Sequence, residues 1–280
     1  MVAASLAVCY TMSLMISLWR EVRDIIKWRE LLGQMVGREV KARYKQSILG
    51  YFWIILNPLA QMLVMSFAFS VIMRIPTNAT DNIPYSVFLF VAFLPWTLFA
   101  NSLSSACASL VSSASLVTKI YFPRTILVLA TVLAKVIDFT LALSVLVVYL
   151  IIYQIPIGWQ VLWVIPIFFI QQLFTMGIAL FLAAANLLYR DIQYLLNLLL
   201  ILWLYLTPII YPADLVPERY RWLYQLNPMA VIVNAYRQVV LANDWPNLLG
   251  LGMALLVSVL VFLAGFTYFK SREKIFADNI

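Results

Sequence analysis

Two charged residues inside a long apolar stretch are the first candidates for chemistry. Lys135 and Asp138 lie three positions apart, so they share one face of a helix. An isolated charge within a bilayer costs about 2.5–3.5 kcal/mol on insertion scales, whereas a neutralised pair costs less. The spacing predicts an intramembrane ion pair. Its role is either gating or proton coupling, or it is a structural pair that faces other helices.

Other catalytic chemistry finds little support in the residues present. The chain has no histidine, and Cys9 and Cys107 lack the spacing of a disulfide framework or a metal site. It contains no GxxxxGK(S/T) loop for nucleotides and no HExxH, CxxC or nucleophile-elbow motif. The sequence therefore predicts no catalytic residues, no metal and no bound cofactor. Active transport by this chain would draw energy from a partner or from an ion gradient.

The composition excludes a soluble domain. Hydrophobic residues make up 64% of the chain and charged residues 11%, against about 45–50% and 25% in soluble domains. The net charge of +7 comes from basic residues concentrated near the ends of apolar stretches. At those positions they contact anionic lipid headgroups rather than nucleic acid. We expect an all-α membrane protein.

Six apolar stretches are long enough to cross a hydrocarbon core of about 30 Å. They cover residues 50–73, 84–106, 125–153, 161–185, 192–211 and 246–269. Together they define a predicted six-span domain at 50–275. Residues 1–19 form a hydrophobic extension, either an extra hydrophobic segment or the result of a start codon upstream of Met12 or Met15.

The distribution of Lys and Arg predicts the orientation of the spans. Residues 20–47 carry eight of them, and the connections on the same side bring the total to 14, against four on the opposite side. Both termini are therefore expected in the cytoplasm.

Residues 20–49 are predicted to form an amphipathic helix in the cytoplasmic interface, because their charges are too dense for a span. The apolar face consists of Val22, Ile25, Trp28, Leu32, Met35, Val36 and Val40. The opposite face consists of Arg23, Lys27, Glu30, Gln34 and Lys41. The apolar face is expected to lie in the acyl boundary of the membrane.

The external connection between spans five and six is predicted to contain re-entrant or interfacial helices. Asn227 suits the N-cap and Pro228 the first turn of a helix that continues to Leu241. This segment is too short to cross the membrane, so it must pack against protein.

Polar and aromatic side chains within the spans are candidates for a substrate path. Asn57 and Gln61 share a helical face and either line a path or form interhelical hydrogen bonds. Trp96, Phe99 and Tyr205 lie deep in the predicted spans, where aromatic faces stack on sugars or serve in core packing.

Several motifs resemble those of the polysaccharide-export permeases of the ABC superfamily, which export O-antigen, capsule and teichoic-acid precursors. The matching runs are RYKQSILGYFW at 43–53 followed by Asn57-Pro58, KIYFPR at 119–124, NLLYRDI at 186–192 and LNPM at 226–229. They occur in the family's order, and the resemblance covers residues 20–275.

The resemblance implies a homodimer that binds two copies of a separate nucleotide-binding subunit, which holds the ATP and Mg²⁺. It implies a bacterial inner-membrane location and a lipid-linked polysaccharide as substrate. The chain itself is then not an enzyme. The residues expected to couple to the ATPase are Arg38, Arg43, Tyr44, Lys45, Ser47, Lys119, Arg124, Arg190 and Asp191.

In this picture, basic residues meet a lipid diphosphate and polar and aromatic residues follow the glycan. The predicted path consists of Arg43, Lys45, Arg124, Trp96, Phe99, Asn57, Gln61 and Tyr205. Guanidinium groups suit bidentate phosphate contacts, although these basic residues could equally anchor the helix to lipid headgroups. Alternative functions are a small-lipid or drug exporter of the same architecture and an ion-coupled transporter that uses Lys135 and Asp138. A membrane enzyme is disfavoured because the external connections lack paired carboxylates.

Overall fold

The computed structural model describes residues 17, 19–44, 50, 52–72, 83–119, 121–212 and 215–276. Every regular element in these ranges is helical. The helices are α1 (19–27), α2 (Arg29–Tyr44), α3 (Phe52–Ser66, continued by a π-helix at Phe67–Ile72), α4 (Tyr85–Ser112), α5 (Ala114–Lys119), α6 (Thr125–Ile152), α7 (Val164–Leu188, preceded by a 3-10 helix at Trp159–Trp163), α8 (Ile192–Leu206), α9 (Arg221–Leu226), α10 (Pro228–Arg237, continued by a π-helix at Gln238–Ala242) and α11 (Leu248–Arg272, continued by a 3-10 helix at Glu273–Ile275).

Five helical segments in the described ranges are long and apolar enough to cross a membrane. They are Phe52–Ile72, Tyr85–Ser112, Thr125–Ile152, Trp159–Leu188 and Leu248–Ile275. They correspond to the first four predicted spans and the sixth. The predicted class, an all-α membrane protein, is confirmed.

The predicted fifth span ends earlier than the sequence suggested. Helix α8 has 15 residues, a length of about 22 Å at 1.5 Å per residue, shorter than a typical hydrocarbon core. Thr207 leaves the helix with φ −101° and ψ 135°, because a residue that precedes a proline disfavours the helical conformation. Pro208 follows and has no N–H to continue the ladder. The helix therefore ends five residues before the predicted limit of 211, and the six-span count stays a prediction.

The connection after the second span is more helical than expected. Helix α4 continues past residue 106 to Ser112, and α5 follows after a break at Ser113. Helix α4 is also the centre of the fold, since it packs against α3, α6, α7, α8 and α10.

The N-terminal amphipathic helix is present, but the protein itself covers part of its apolar face. Helices α1 and α2 are joined by backbone hydrogen bonds from Trp28 to Asp24 (2.9 Å) and from Leu32 to Trp28 (3.0 Å). Met35 is only 6% exposed, and Trp28 and Leu32 pack against the hydrophobic core. Helix α2 packs on α6. The predicted polar face is exposed, at Arg23, Lys27, Glu30, Gln34 and Lys41.

Two glycines allow helices α7 and α11 to approach closely. A Cβ atom on Gly265 would lie 1.9 Å from the carbonyl oxygen of Gly177, and a Cβ on Gly177 would lie 2.6 Å from the backbone of Phe262. The two helices pack along much of their length. The crossing therefore depends on backbone-to-backbone contact, as small residues permit in membrane helices.

The external helix α10 is capped as predicted and packs against protein. The side-chain oxygen of Asn227 accepts a hydrogen bond from the backbone N–H of Met229 (3.1 Å), and Pro228 occupies the first turn. The helix is buried along most of its length against α4, α7 and α11.

Candidate functional site

A polar cavity of about 490 Å³ lies where the end of α2 meets α3, α4 and α6. Its lining combines residues that the sequence analysis had placed in two separate sets. From the predicted path come Arg43, Asn57, Gln61 and Trp96, and from the predicted ion pair come Lys135 and Asp138. Four helices thus bring charged, amide and aromatic groups together at one site.

The ion pair in this cavity differs from the predicted one. Arg43 donates a hydrogen bond to the carboxylate of Asp138, and both side chains are largely but not fully buried, at 27% and 20% exposure. No ion pair of Lys135 occurs within the part of the chain that the structure describes. A salt bridge between Lys135 and Asp138 is thus not found in the described part of the chain, where Asp138 forms one with Arg43. The guanidinium of Arg43 reaches Asp138 from the end of α2, a relationship that spacing along α6 could not indicate.

The two amides of α3 line the cavity and bond to each other. Gln61 Nε2 donates to Asn57 Oδ1 over 2.8 Å, and both side chains are exposed. This bond lies within α3, and no interhelical hydrogen bond of either amide is found among the described residues. The amides remain available on the surface of the cavity.

The predicted path aromatics have different surroundings. Trp96 lines the cavity. Phe99 is fully buried between Phe174 and Trp203, with ring centres 5.7 and 5.1 Å away. Tyr205 is 58% exposed on α8. Of the three, only Trp96 belongs to the cavity, whereas Phe99 serves in core packing.

Arg124 lies in a separate cluster at the ends of α6 and α11. Its guanidinium donates to the backbone carbonyl of Glu273 and lies 5.9 Å from the centre of the Phe276 ring. Its backbone N–H donates to Glu273 Oε1 (3.4 Å). Arg124 therefore joins the chain's C-terminal region to the first turn of α6, and it does not line the cavity.

The same cluster includes α1. Lys270 Nζ lies 2.5 Å from Glu21 Oε2 and 2.9 Å from Glu273 Oε2. The hydroxyl of Thr125 donates to Glu21. These contacts place α1, the start of α6 and the end of α11 on one side of the molecule, as the distribution of basic residues predicted.

The predicted coupling residues are spread over several surface segments. Arg38 donates to the hydroxyl of Ser113 (3.4 Å) and lies 3.6 Å from Glu39, so α2 contacts the junction of α4 and α5. Exposed positions include Lys119 at the end of α5, and Arg190 and Asp191 between α7 and α8. Tyr44 ends α2, with its side chain outside the described part, and Lys45 and Ser47 lie outside the described residues altogether.

The sequence analysis missed the structural role of Arg237. This side chain is 7% exposed and donates to the backbone carbonyls of Phe88, Pro208 and Ile209. Burial lowers the pKa of its guanidinium to about 9, which still leaves it charged at neutral pH. A single arginine at the end of an otherwise uncharged helix was the available signal.

Further hydrogen bonds join α10 and its N-cap to the long helices. Gln171 of α7 donates to the carbonyl of Pro95 in α4 (2.8 Å) and accepts from the hydroxyl of Tyr236 (3.1 Å). The indole of Trp203 donates to Asn227 (3.0 Å). Gln171 thus has the interhelical bonding role expected of a polar residue at membrane depth.

These observations define a multi-pass α-helical membrane protein with a charged cavity between its helices. The ABC-2 type transporter family model matches residues 30–241. The chain belongs to this family.

Several characterised proteins are similar over almost their whole length. The O-antigen export system permease protein RfbA of Myxococcus xanthus is 33% identical over 264 residues, which cover 93% of this chain and 99% of the relative. RfbA of Klebsiella pneumoniae is 30% identical over 251 residues, covering 89% and 94%. The polysialic acid transport protein KpsM of Escherichia coli is 22% identical over 252 residues, covering 85% and 91%.

Proposed function

We propose that this chain is the membrane-spanning permease subunit of an ATP-driven exporter for an O-antigen-like, lipid-linked polysaccharide. The observation that carries the proposal is the 33% identity to an O-antigen export permease over 93% of this chain and 99% of the relative. The cavity between α2, α3, α4 and α6 supports it, because it combines charged and aromatic groups suited to a lipid-linked glycan.

The working complex in this proposal is a homodimer with two copies of a separate ATPase subunit. ATP and Mg²⁺ are held by the ATPase, and this chain binds no cofactor and catalyses no reaction. Exposed apolar faces on α3 and α8 support contact with a second copy of the chain or with lipid. The side chains on α3 and its π-helical continuation are Leu63, Val64 and Phe67, and those on α8 are Leu198, Ile201 and Leu202. The exposed segment around Lys119 and the polar face of α2 are the surfaces offered to the ATPase.

In this proposal the protein lies in the bacterial inner membrane with both termini in the cytoplasm. The cluster of Glu21, Lys270 and Glu273 supports this arrangement, because it groups α1 with the end of α11 on the side that carries most basic residues. A membrane-impermeant thiol reagent tests it in intact cells. A cysteine at Lys27 should stay unlabelled, whereas one at Arg219 should react, with Cys9 and Cys107 changed to serine as background.

Deletion of the gene tests the function directly. The deleted strain should accumulate glycan on its lipid carrier inside the cell, and the intact gene should restore export. The purified protein should carry its ATPase with it and show little transport without it. Transport of glycan by this polypeptide alone would overturn the proposal, and so would normal surface glycan in the deleted strain.

A further inference from the structure

We propose that the cavity between α2, α3, α4 and α6 binds the phosphate-bearing headgroup of a lipid, with Lys135 as the principal cationic ligand. This inference rests on the proposed function, since it names the part of the protein that takes up the charged end of a lipid-linked substrate. A prenyl diphosphate and an ordinary anionic phospholipid share this chemistry.

The charge balance of the cavity favours an anion. Two cations, Arg43 and Lys135, and one carboxylate, Asp138, line the same space. Arg43 is neutralised by Asp138. Lys135 forms no salt bridge among the described residues, and the two cations of the lining outnumber its one carboxylate, so the lining carries a net positive charge. A charge at this depth is costly unless it is paired, and a phosphate oxygen is a partner that a lipid can supply.

Amide groups extend the polar side of the cavity. Asn57 and Gln61 of α3 and Asn101 of α4 line it, and all three side chains are exposed. Amide N–H groups donate to phosphate or sugar oxygens without adding charge. The cavity can therefore hold the headgroup through several donors around a single cation.

Apolar side chains also line the cavity, and its volume fits a headgroup with the first group attached to it. Phe93, Trp96 and Phe139 are buried residues that line the cavity. Aromatic faces suit the first isoprene units or the first sugar ring. The volume of about 490 Å³ falls within the range of about 300–1,000 Å³ typical of small-molecule sites.

The test measures binding to the permease–ATPase complex in nanodiscs of neutral phosphatidylcholine. The probes are a long-chain prenyl diphosphate, phosphatidylglycerol and inorganic diphosphate. Lys135→Gln should weaken binding of the prenyl diphosphate about tenfold, the loss of one charged contact worth about 1.4 kcal/mol. Lys135→Arg should retain binding because it keeps the cation. Lys27→Gln removes the same charge from the exposed face of α1 and should leave binding unchanged.

The probes distinguish the source of the headgroup. Preference for prenyl diphosphate over phosphatidylglycerol supports a substrate site, and equal binding supports a general site for anionic lipids. Gln61→Ala, an exposed change that should not impair folding, should weaken binding to a smaller degree. Unchanged affinity in Lys135→Gln would overturn the proposal, whatever the result for Gln61→Ala.

The two proposals fail in different ways. If the deleted strain still displays its glycan while Lys135→Gln loses prenyl diphosphate binding, the export function is wrong and the site remains. If deletion blocks export while Lys135→Gln binds the prenyl diphosphate as the unchanged protein does, the site is wrong and the function remains.

Discussion

The guanidinium carbon of Arg237 lies 3.6 Å from the centre of the Phe88 ring, between α10 and the first turn of α4. The same guanidinium bonds to the carbonyls of Pro208 and Ile209, which the break after α8 leaves without helical partners. One side chain on α10 therefore satisfies the end of α8 and contacts the first turns of α4. Buried carbonyls require such partners at membrane depth.

Replacing Arg237 should destabilise the protein strongly. Arg237→Gln should cost at least about 2 kcal/mol, because it leaves buried carbonyls without donors. Arg237→Lys should recover only part of this loss, since an ammonium lacks the planar fork that reaches several carbonyls. Thermal unfolding in detergent measures both. Arg219→Gln is the matched control at an exposed position, and equal melting temperatures for the two Gln variants would contradict the assignment.

Enlarging Gly265 should separate α7 from α11. An alanine Cβ there would lie 1.9 Å from the Gly177 carbonyl oxygen, so Gly265→Ala should destabilise by about 1–3 kcal/mol, as overpacking does. Gly252→Ala, on the same helix, meets nothing within 4 Å and should be neutral or slightly stabilising. The comparison of their melting temperatures is the measurement, and a neutral Gly265→Ala would rule out the close crossing.

Removing the Asn227 side chain should loosen the external helix. Its oxygen caps α10 and accepts from the Trp203 indole, and its amide nitrogen donates to Thr207 (3.1 Å). Asn227→Ala should cost about 1–2 kcal/mol. Asn227→Asp keeps the acceptor and should lose less. Faster hydrogen exchange in 228–237 reports the change, and unaltered protection in Asn227→Ala would contradict it.

The ion pair between Arg43 and Asp138 should show coupling in a double-mutant cycle. Arg43→Gln and Asp138→Asn should each lower the free energy of unfolding. The loss in the double variant should be smaller than the sum of the two single losses, with a coupling energy of about 0.5–3 kcal/mol. Additive losses would exclude a direct interaction.

Export by the Asp138→Asn variant distinguishes an ATP-driven exporter from an ion-coupled transporter. An ATP-driven exporter should retain reduced export, measured as surface glycan by immunoblot, because it needs Asp138 as a partner of Arg43 and not as a proton carrier. An ion-coupled transporter that relies on this carboxylate should lose transport completely. Lys27→Gln should export normally in the same assay.

Hydrophobicity and charge were sufficient for the class of fold and for most of the spans. The stretches at 125–153 and 246–269 became helices with nearly the expected limits, because length and apolar composition decide which segments enter a bilayer. The cap at Asn227 was also predictable, since its signal is local.

Features that depend on contacts between distant segments were not predictable. Spacing suggested that Asp138 pairs with Lys135, but its partner is Arg43, 95 positions away in the chain. The close contact of Gly177 with Gly265 likewise has no signal within either helix. The end of α8 at Thr207 did have a local signal, because Pro208 follows it. The apolar composition of residues 192–211 concealed that signal.

The cluster of Glu21, Thr125, Lys270 and Glu273 means that the N-terminal helix is not an independent arm. A partner that displaces α1 would therefore also displace the first turn of α6 and the last turn of α11. Because α6 carries Asp138 and Lys135, such a displacement reaches the walls of the cavity through the helix itself. Force applied at this cluster would thereby change the shape of the cavity through one continuous helix, Thr125–Ile152.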